Sequence, residues 1–209
     1  VRLLIGTGAV GSLRENIAPG DLVIVDQFID RTFKRQNTFF GSFGVVHCEM
    51  AHPVCDRLGK ILYKTAKKIK LKVHPSGTDV CIEGPQFSTR AESLMHRKWG
   101  GDLIGMTAMP EAKLAREAQI CYALVALVSD YDCWKSAQPS DKHTLTKTIL
   151  SNLNRATDNC LKLIKAVLGS QTILTDENCS CRKSLEMAVW TEKKEINPQQ
   201  RRKLKVLFK

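Results

Sequence analysis

The stretch Cys121-Tyr-Ala-Leu-Val-Ala-Leu-Val-Ser-Asp-Tyr-Asp-Cys-Trp134 decides the fold. Its first nine residues are almost unbroken apolar sequence and read as a strand over 121–129. The strand then ends on two aspartates two residues apart, with aromatic residues at 131 and 134. Carboxylates cost a great deal to desolvate. Asp130-x-Asp132 is therefore either a solvated strand exit or a site that uses both groups.

Working outward from this strand, β-rich apolar runs alternate with helical patterns, the signature of an α/β protein. Further strands are expected at 2–6, 21–28, 71–74, 78–82 and 102–106. Spacing of about 3.6 residues marks helices at 54–69, 89–98, 110–119 and 143–168. The longest of these carries the stripe Leu145, Ile149, Leu153, Ala156, Cys160, Ile164 and Val167. Pro110 opens the third from a first-turn position. Short helices near 182–190 and 198–207 are expected to finish the chain. No repeat, low-complexity linker or composition break divides it, so residues 1–209 are read as a single domain. The longest irregular segment, 33–53, is of a length often tied to function.

At 209 residues, 43% of them hydrophobic and 25% charged, the chain is large enough for one good core. Its apolar runs are too short to span a bilayer. It starts at Val1 inside a strand-like run, Val1-Arg-Leu-Leu-Ile5, and reads as a piece whose beginning lies upstream. The eight cysteines show neither Cys-x-x-Cys nor paired zinc spacing, so no metal is expected. Most lie in apolar contexts, as buried free thiols of a reducing cytoplasm do. Cys179-Ser-Cys181 reads as two thiols in a surface turn, with a redox or stabilising disulfide as the alternative. The net charge of +11 comes from scattered lysines. The dense run Arg201-Arg-Lys-Leu-Lys205 lacks interleaved aromatic residues for stacking bases. Neither a nucleic acid nor a membrane is expected as partner, although such a surface attracts anions over a long range.

In open α/β sheets ligands bind at the carboxyl edges of strands, which makes four strand exits of interest. Gly6-Thr-Gly-Ala-Val-Gly-Ser12 reads as a glycine-rich turn after strand 2–6, able to offer N–H groups to an anion or to serve as a plain turn. Glu83-Gly-Pro-Gln-Phe-Ser88 turns from strand 78–82 toward a helix. It places Phe87 and Ser88 at the sheet edge, with Ser88 or Thr89 also fit to be an N-cap. Met106-Thr107 follows strand 102–106, and there a methionine is as well suited to core packing as to a ligand. Asp130 and Asp132, at i and i+2, leave one face of a strand about 6.5 Å apart. Mutual repulsion and burial raise one pKa, dividing the pair into a protonated acid and an ionised acceptor. Metal binding, the rival use of Asp-x-Asp, wants further acidic groups that the surrounding sequence does not supply.

These segments and their order resemble the purine nucleoside phosphorylase family, in its branch that cleaves methylthioadenosine. The similarity is carried by Gly8-Ala-Val-Gly-Ser-Leu-Arg14, Pro19-Gly-Asp-Leu-Val-Ile-Val-Asp-Gln-Phe-Ile-Asp-Arg-Thr32 and Thr38-Phe-Phe-Gly41. It continues in Ile82-Glu-Gly-Pro-Gln-Phe-Ser-Thr-Arg-Ala-Glu-Ser93, Met106-Thr-Ala-Met-Pro-Glu111 and Ser129-Asp-Tyr-Asp-Cys-Trp134. It runs to about residue 168 and more loosely to the end, where Cys179–Leu185 looks like the bacterial and archaeal members.

The resemblance implies a mixed, twisted central sheet flanked by helices, with this chain forming roughly the C-terminal two-thirds of the domain. It implies phosphorolysis of 5′-methylthioadenosine to adenine and 5-methylthioribose 1-phosphate. No cofactor is implied, inorganic phosphate being the co-substrate. Asp130 matches the general acid at purine N7, and Asp132 the acceptor of the N6 amino group, with Phe87, Ser88 and Tyr131 beside the base. Met106 matches the ribose contact, and Gly8, Ala9 and Thr107 the phosphate site. His47 matches a histidine that lines a neighbouring subunit's methylthio pocket in family homotrimers. Thr146 and Ile149 match apolar positions beside that group, counted across a short insertion after Trp134. Two positions depart from the family pattern: Gly8 replaces a hydroxyl or amide side chain, and Gly105 stands where Asn often does. The same resemblance admits a catalytically inactive, nucleoside-binding relative, and the basic surface a nucleic-acid binder.

Overall fold

The structure, a computed structural model, describes residues 1–135, 141–170, 179–192 and 194–208. The insertion expected after Trp134 falls on 136–140, outside the described residues. Seven strands form one sheet: β1 (Leu3–Ser12), β2 (Leu22–Val25), β3 (Gln27–Arg31), β4 (Val73–His74), β5 (Thr78–Ile82), β6 (Leu103–Gly105) and β7 (Cys121–Tyr131). Their order is β3-β5-β6-β1-β7-β2-β4. The sheet is mixed, since β7 pairs parallel with β1 and antiparallel with β2. Helices α1 (Asp56–Lys68), α2 (Arg90–Lys98), α3 (Glu111–Glu117), α4 (Lys142–Leu168) and α5 (Pro198–Lys203) complete the architecture.

Strand β7 is apolar from Cys121 to Val128 because both of its faces are covered there. Cys121, Ala123, Val125 and Leu127 face Leu58, Leu62 and Ala66 of α1 and Ala156, Cys160, Leu163 and Val167 of α4. Tyr122, Leu124, Ala126 and Val128 face the other way, toward Ala112 and Ala115 of α3 and Val10, Val23 and Val25 of neighbouring strands. The alternation has the two-residue period of a strand, and the α4 stripe read from the sequence meets it. No helix among the described residues is long and apolar enough to cross a membrane.

Four local expectations are corrected. Gly6–Ser12 is no turn: β1 continues through it, paired with β7 from Leu3 to Ser12. Its glycines serve close approach. A Cβ at Gly6 would stand 2.5 Å from Glu111 Oε1, and one at Gly8 2.7 Å from Thr107 Oγ1. The strand expected at 21–28 is two strands. They break at Asp26, whose carboxylate accepts the Gly77 N–H at 2.9 Å. β2 joins β7 and β4, whereas β3 joins β5 at the far end of the order. β2–β3 and β4–β5 thus run side by side, and chain continuity curls the sheet toward closure.

Residues 182–190 are not a helix. A 3₁₀ turn at Ser180–Lys183 runs on through successive turns over 184–188 to Val189, which bridges Val46. Its helix-like spacing reflects Leu185 and Ala188 packing on Phe40 and Phe43 instead. Finally, Pro110 is the N-cap of α3 rather than a first-turn residue.

Candidate active site

At the carboxyl end of β7 the ladder with β1 slips. Val10 is opposite Val128, but Gly11 is opposite Asp130, so Ser129 is an extra residue. Bulges of this kind bend a strand and re-aim the next side chains. Ser129 turns inward, and its one hydroxyl hydrogen serves Asp130 Oδ1 at 2.5 Å, with the Val10 carbonyl a longer alternative acceptor at 3.2 Å. Its own carbonyl accepts from Asn152 Nδ2 of α4 at 3.1 Å. Asp132, just past the strand, is anchored by its N–H to the Ser12 carbonyl at 3.0 Å. Trp134 Nε1 donates to the same carbonyl at 2.8 Å. Strand order brings β6, β1 and β7 side by side. Strand β6 runs antiparallel to β1 and β7 parallel to it, so Met106 and Thr107 leave β6 back alongside Ala9 and Gly8 while β7 runs on past Gly11 to Asp130.

A cavity of about 480 Å³ lies there, within the range that suits a small organic ligand. Asp130, Tyr131 and Asp132 form one wall and Phe87 and Ser88 another. Ala9, Met106 and Thr107 line it too, as do Leu145, Ile149 and Leu153 of α4. Asp132 Oδ2 and Ser88 Oγ are buried without a hydrogen-bond partner among the described residues. Unsatisfied buried polar atoms are uncommon and costly, and these two point to ligand groups. Burial holds the Asp130 carboxyl above the ordinary carboxylate range. The charge of Asp132 works in the same direction, and the Ser129 hydrogen bond opposes both.

Thr89, not Ser88, caps α2, with a reciprocal capping box to Glu92. That leaves the Ser88 hydroxyl for the cavity. Phe87 is 86% exposed and stands at the rim. Gly8 lies outside the lining but faces Thr107, as the close approach of its would-be Cβ to Thr107 Oγ1 requires. Gly84, at φ +71, brings backbone against Met106, whose Sδ would lie 2.7 Å from any Cβ there. Thr146 is exposed on α4 and does not line the cavity; Leu145, Ile149 and Leu153 do. His47 is also remote from it, exposed beside Trp190 with ring centroids 5.1 Å apart.

Two residues escaped the sequence reading. Arg35, from the long loop, donates to the carbonyls of Met106 at 2.7 Å and Glu83 at 2.8 Å, and also to those of Ile82 and Met109. It ties the exits of β5 and β6 together and so fixes Met106. Asp79 of β5 is 1% exposed, with Oδ1 unpartnered among the described residues. Burial pushes its carboxyl up to about 7. It lies under the cavity floor, 3.4 Å from where a Cβ on Gly105 would stand. Neither has a local sequence signal, because each acts across a long separation. Among the described residues, the side-chain group with the makings of a metal site is elsewhere, at the opposite end of β7.

Fold and cavity together define an α/β protein with a ligand-sized cavity between the segments that leave β6 and β7. Residues 1–169 match the family model of the phosphorylase superfamily, and the chain belongs to that superfamily. It is 45% identical over 199 residues to the S-methyl-5′-thioadenosine phosphorylase of Cereibacter sphaeroides, an alignment covering 94% of this chain and 67% of that protein. The chain thus spans about two-thirds of that relative's length. It is similar to a crystal structure of methylthioadenosine phosphorylase from an antarctic soil metagenomic library, with TM-score 0.90 and 40% identity over all of this chain and 72% of that one. A single-substitution variant of the Schistosoma mansoni adenosine/methylthioadenosine phosphorylase, solved in complex with methylthioadenosine, superposes with TM-score 0.77. It is 33% identical over 88% of this chain and 70% of its own.

Proposed function

We propose that the protein cleaves 5′-methylthioadenosine by phosphorolysis, yielding adenine and 5-methylthioribose 1-phosphate. The observation that carries this reading is the carboxyl pair in the cavity wall, with Asp130 held toward its protonated form and Asp132 turning an unsatisfied oxygen inward. Adenine offers an acceptor at N7 and a donor at N6 on the same edge. Asp130 donates to N7 and Asp132 accepts from N6. A 6-oxo purine places an acceptor against Asp132 and is disfavoured. Ser88 meets the far edge of the ring, and Phe87 and Tyr131 contact it from the side.

As the glycosidic bond breaks, positive charge gathers on the sugar and negative charge on the base. The proton on Asp130 passes to N7 and neutralises the leaving group, an effect typically worth ~10²–10⁴ in rate. Phosphate attacks the anomeric carbon from the side of Ala9, Gly8 and Thr107, and Met106 lies against the ribose. Apolar side chains of α4, Ile149 among them and Thr146 nearby, are placed for the methylthio group. His47, exposed and distant from its own cavity, fits a role in a neighbouring subunit of a homotrimer. No resident cofactor enters this scheme. The free thiols are in keeping with work in the cytoplasm.

The test is phosphate-dependent release of free base by the protein, comparing methylthioadenosine, adenosine and inosine. Adenine release that requires phosphate, with inosine inert, is expected. Binding without cleavage, or equal cleavage of inosine, contradicts the proposal.

A further inference from the structure

The amino end of β7 carries a second concentration of reactive side chains, unrelated to the cavity. Cys121 opens the strand, and Cys55 is the N-cap of α1. Cys179 and Cys181 arrive from the segment that returns after α4. The four Sγ atoms all lie within 4.8 Å of one another. Cys55 Sγ and Cys179 Sγ are 3.6 Å apart. Three of the four thiols are buried and Cys179 is half-buried. We propose that Cys55, Cys121, Cys179 and Cys181 are the ligands of a structural tetrathiolate site for a thiophilic divalent ion, Zn²⁺, which fastens the C-terminal segment to the sheet.

Four sulfurs bound to zinc at about 2.3 Å stand about 3.8 Å apart along each edge of the tetrahedron. The observed set is close to that on the Cys55–Cys179 edge and within about an ångström of it elsewhere. Every sulfur neighbours the other three, the arrangement a central ion requires. The set contains no oxygen ligand, which disfavours magnesium, calcium and manganese. Four protein ligands also close the coordination shell, so the site is structural rather than catalytic.

Charge and access agree with this assignment. Binding converts four thiols to thiolates, Zn²⁺ + 4 RSH → [Zn(SR)₄]²⁻ + 4 H⁺. The guanidinium of Arg57, which walls the same cleft as Cys55, Cys179 and Cys181, supplies positive charge beside the cluster. The amino end of α1, at Cys55, adds its positive pole. A cleft of about 1030 Å³, walled in part by Cys55, Arg57, Cys179 and Cys181, gives an ion a way in. Cys55 and Cys121 come from α1 and β7, and Cys179 and Cys181 from the segment that returns after α4, which is held further along by the Val46–Val189 bridge and by Leu185, Ala188 and Ile196 packed with Phe40 and Phe43. An ion joining them closes a long loop, the situation in which a cross-link removes most chain entropy.

The test is metal content by mass spectrometry on protein purified under reducing conditions with zinc supplied. One zinc per chain is expected, released by an organomercurial in step with thiol modification and read with a chromogenic chelator. Replacement by Co²⁺ should give sulfur-to-metal charge-transfer bands and the strong visible bands of a tetrahedral site. Cys179→Ser should lose the metal, whereas Cys48→Ser, outside the cluster, should keep it. Cys179→His should also keep it, since imidazole replaces thiolate as ligand. That result separates loss of a ligand from loss of the fold. Wild-type protein free of metal, whether its thiols are all titratable or paired as disulfides, overturns the proposal, as does full zinc occupancy in Cys179→Ser.

Discussion

Strand β7 begins at one buried polar cluster and ends at another, and the two ends are built on opposite terms. At its carboxyl end Asp130 and Asp132 stand two residues apart, aimed by one bulge, with unsatisfied atoms facing a cavity. At its amino end Cys121 meets three thiols from two distant parts of the chain, packed among the side chains of α1 and α4. The first arrangement leaves its groups hungry for a ligand that departs. The second gathers groups that hold one another, or an ion between them. A site for turnover and a site for stability thus share one strand, and the covered apolar residues between them keep both rigid.

The comparison breaks if substitutions at the carboxyl end mainly alter stability, or those at the amino end mainly alter chemistry. Asp130→Asn keeps the shape but removes the proton donor, and kcat should fall by ~10²–10⁴ with little change in Tm. Proton donation to N7 needs the acid form of Asp130, which burial favours by raising its pKa. Activity should therefore persist at low pH and decline as pH climbs through that raised value. Thermal melts beside a pH–rate profile check both points. Asp132→Asn exchanges an acceptor for an amide able to donate. The ratio of kcat/KM for methylthioadenosine over its 6-oxo counterpart should drop by ~10–100-fold, measured by release of free base.

Asp79 sharpens the comparison, since it is a carboxyl with neither ligand nor partner among the described residues. Its folded-state value of about 7 exceeds the ordinary 3.8, so the folded protein binds the extra proton between those values. Stability should fall as pH rises from about 4 to about 7 and level off beyond. Linkage sets an upper bound on the order of 4 kcal/mol. After relaxation of the site, Asp79→Asn should gain roughly 1–2 kcal/mol at pH 8 and almost nothing near pH 4, read by denaturant titration. The smallest effect belongs to Arg35→Ala, which unties Met106 without touching the carboxyls. KM should rise several-fold, up to about tenfold, with kcat less affected.

How much of this was legible in the sequence follows from distance along the chain. The apolar run 121–129, the α4 stripe and the Asp-x-Asp are local patterns, and each appears where the sequence places it. The glycines of β1 misled because a glycine needed for room and one needed for a turn look alike in sequence. Their neighbours Glu111 and Thr107 lie about a hundred residues away. The break at Asp26 was hidden for a related reason, as only its partnership with Gly77 bends the strand there. The cysteine cluster had no legible spacing at all. Cys179-x-Cys181 is tighter than familiar zinc motifs, and Cys55 and Cys121 join it only through the packing of α1 on β7. Arg35 gave no signal either, because most of its partners are backbone carbonyls, which every residue has, and its side-chain partner Glu83 lies far along the chain.

The central claim is that the Asp130 proton goes to purine N7, and removing the acceptor tests it most directly. Replacing N7 by carbon in methylthioadenosine leaves the N6 edge and the sugar unchanged. The account predicts that wild-type protein cleaves the 7-deaza substrate about as slowly as Asp130→Asn cleaves the parent, and that combining the two changes costs little more. Independent, multiplicative losses, or rapid cleavage of the 7-deaza substrate by the wild type, would contradict it.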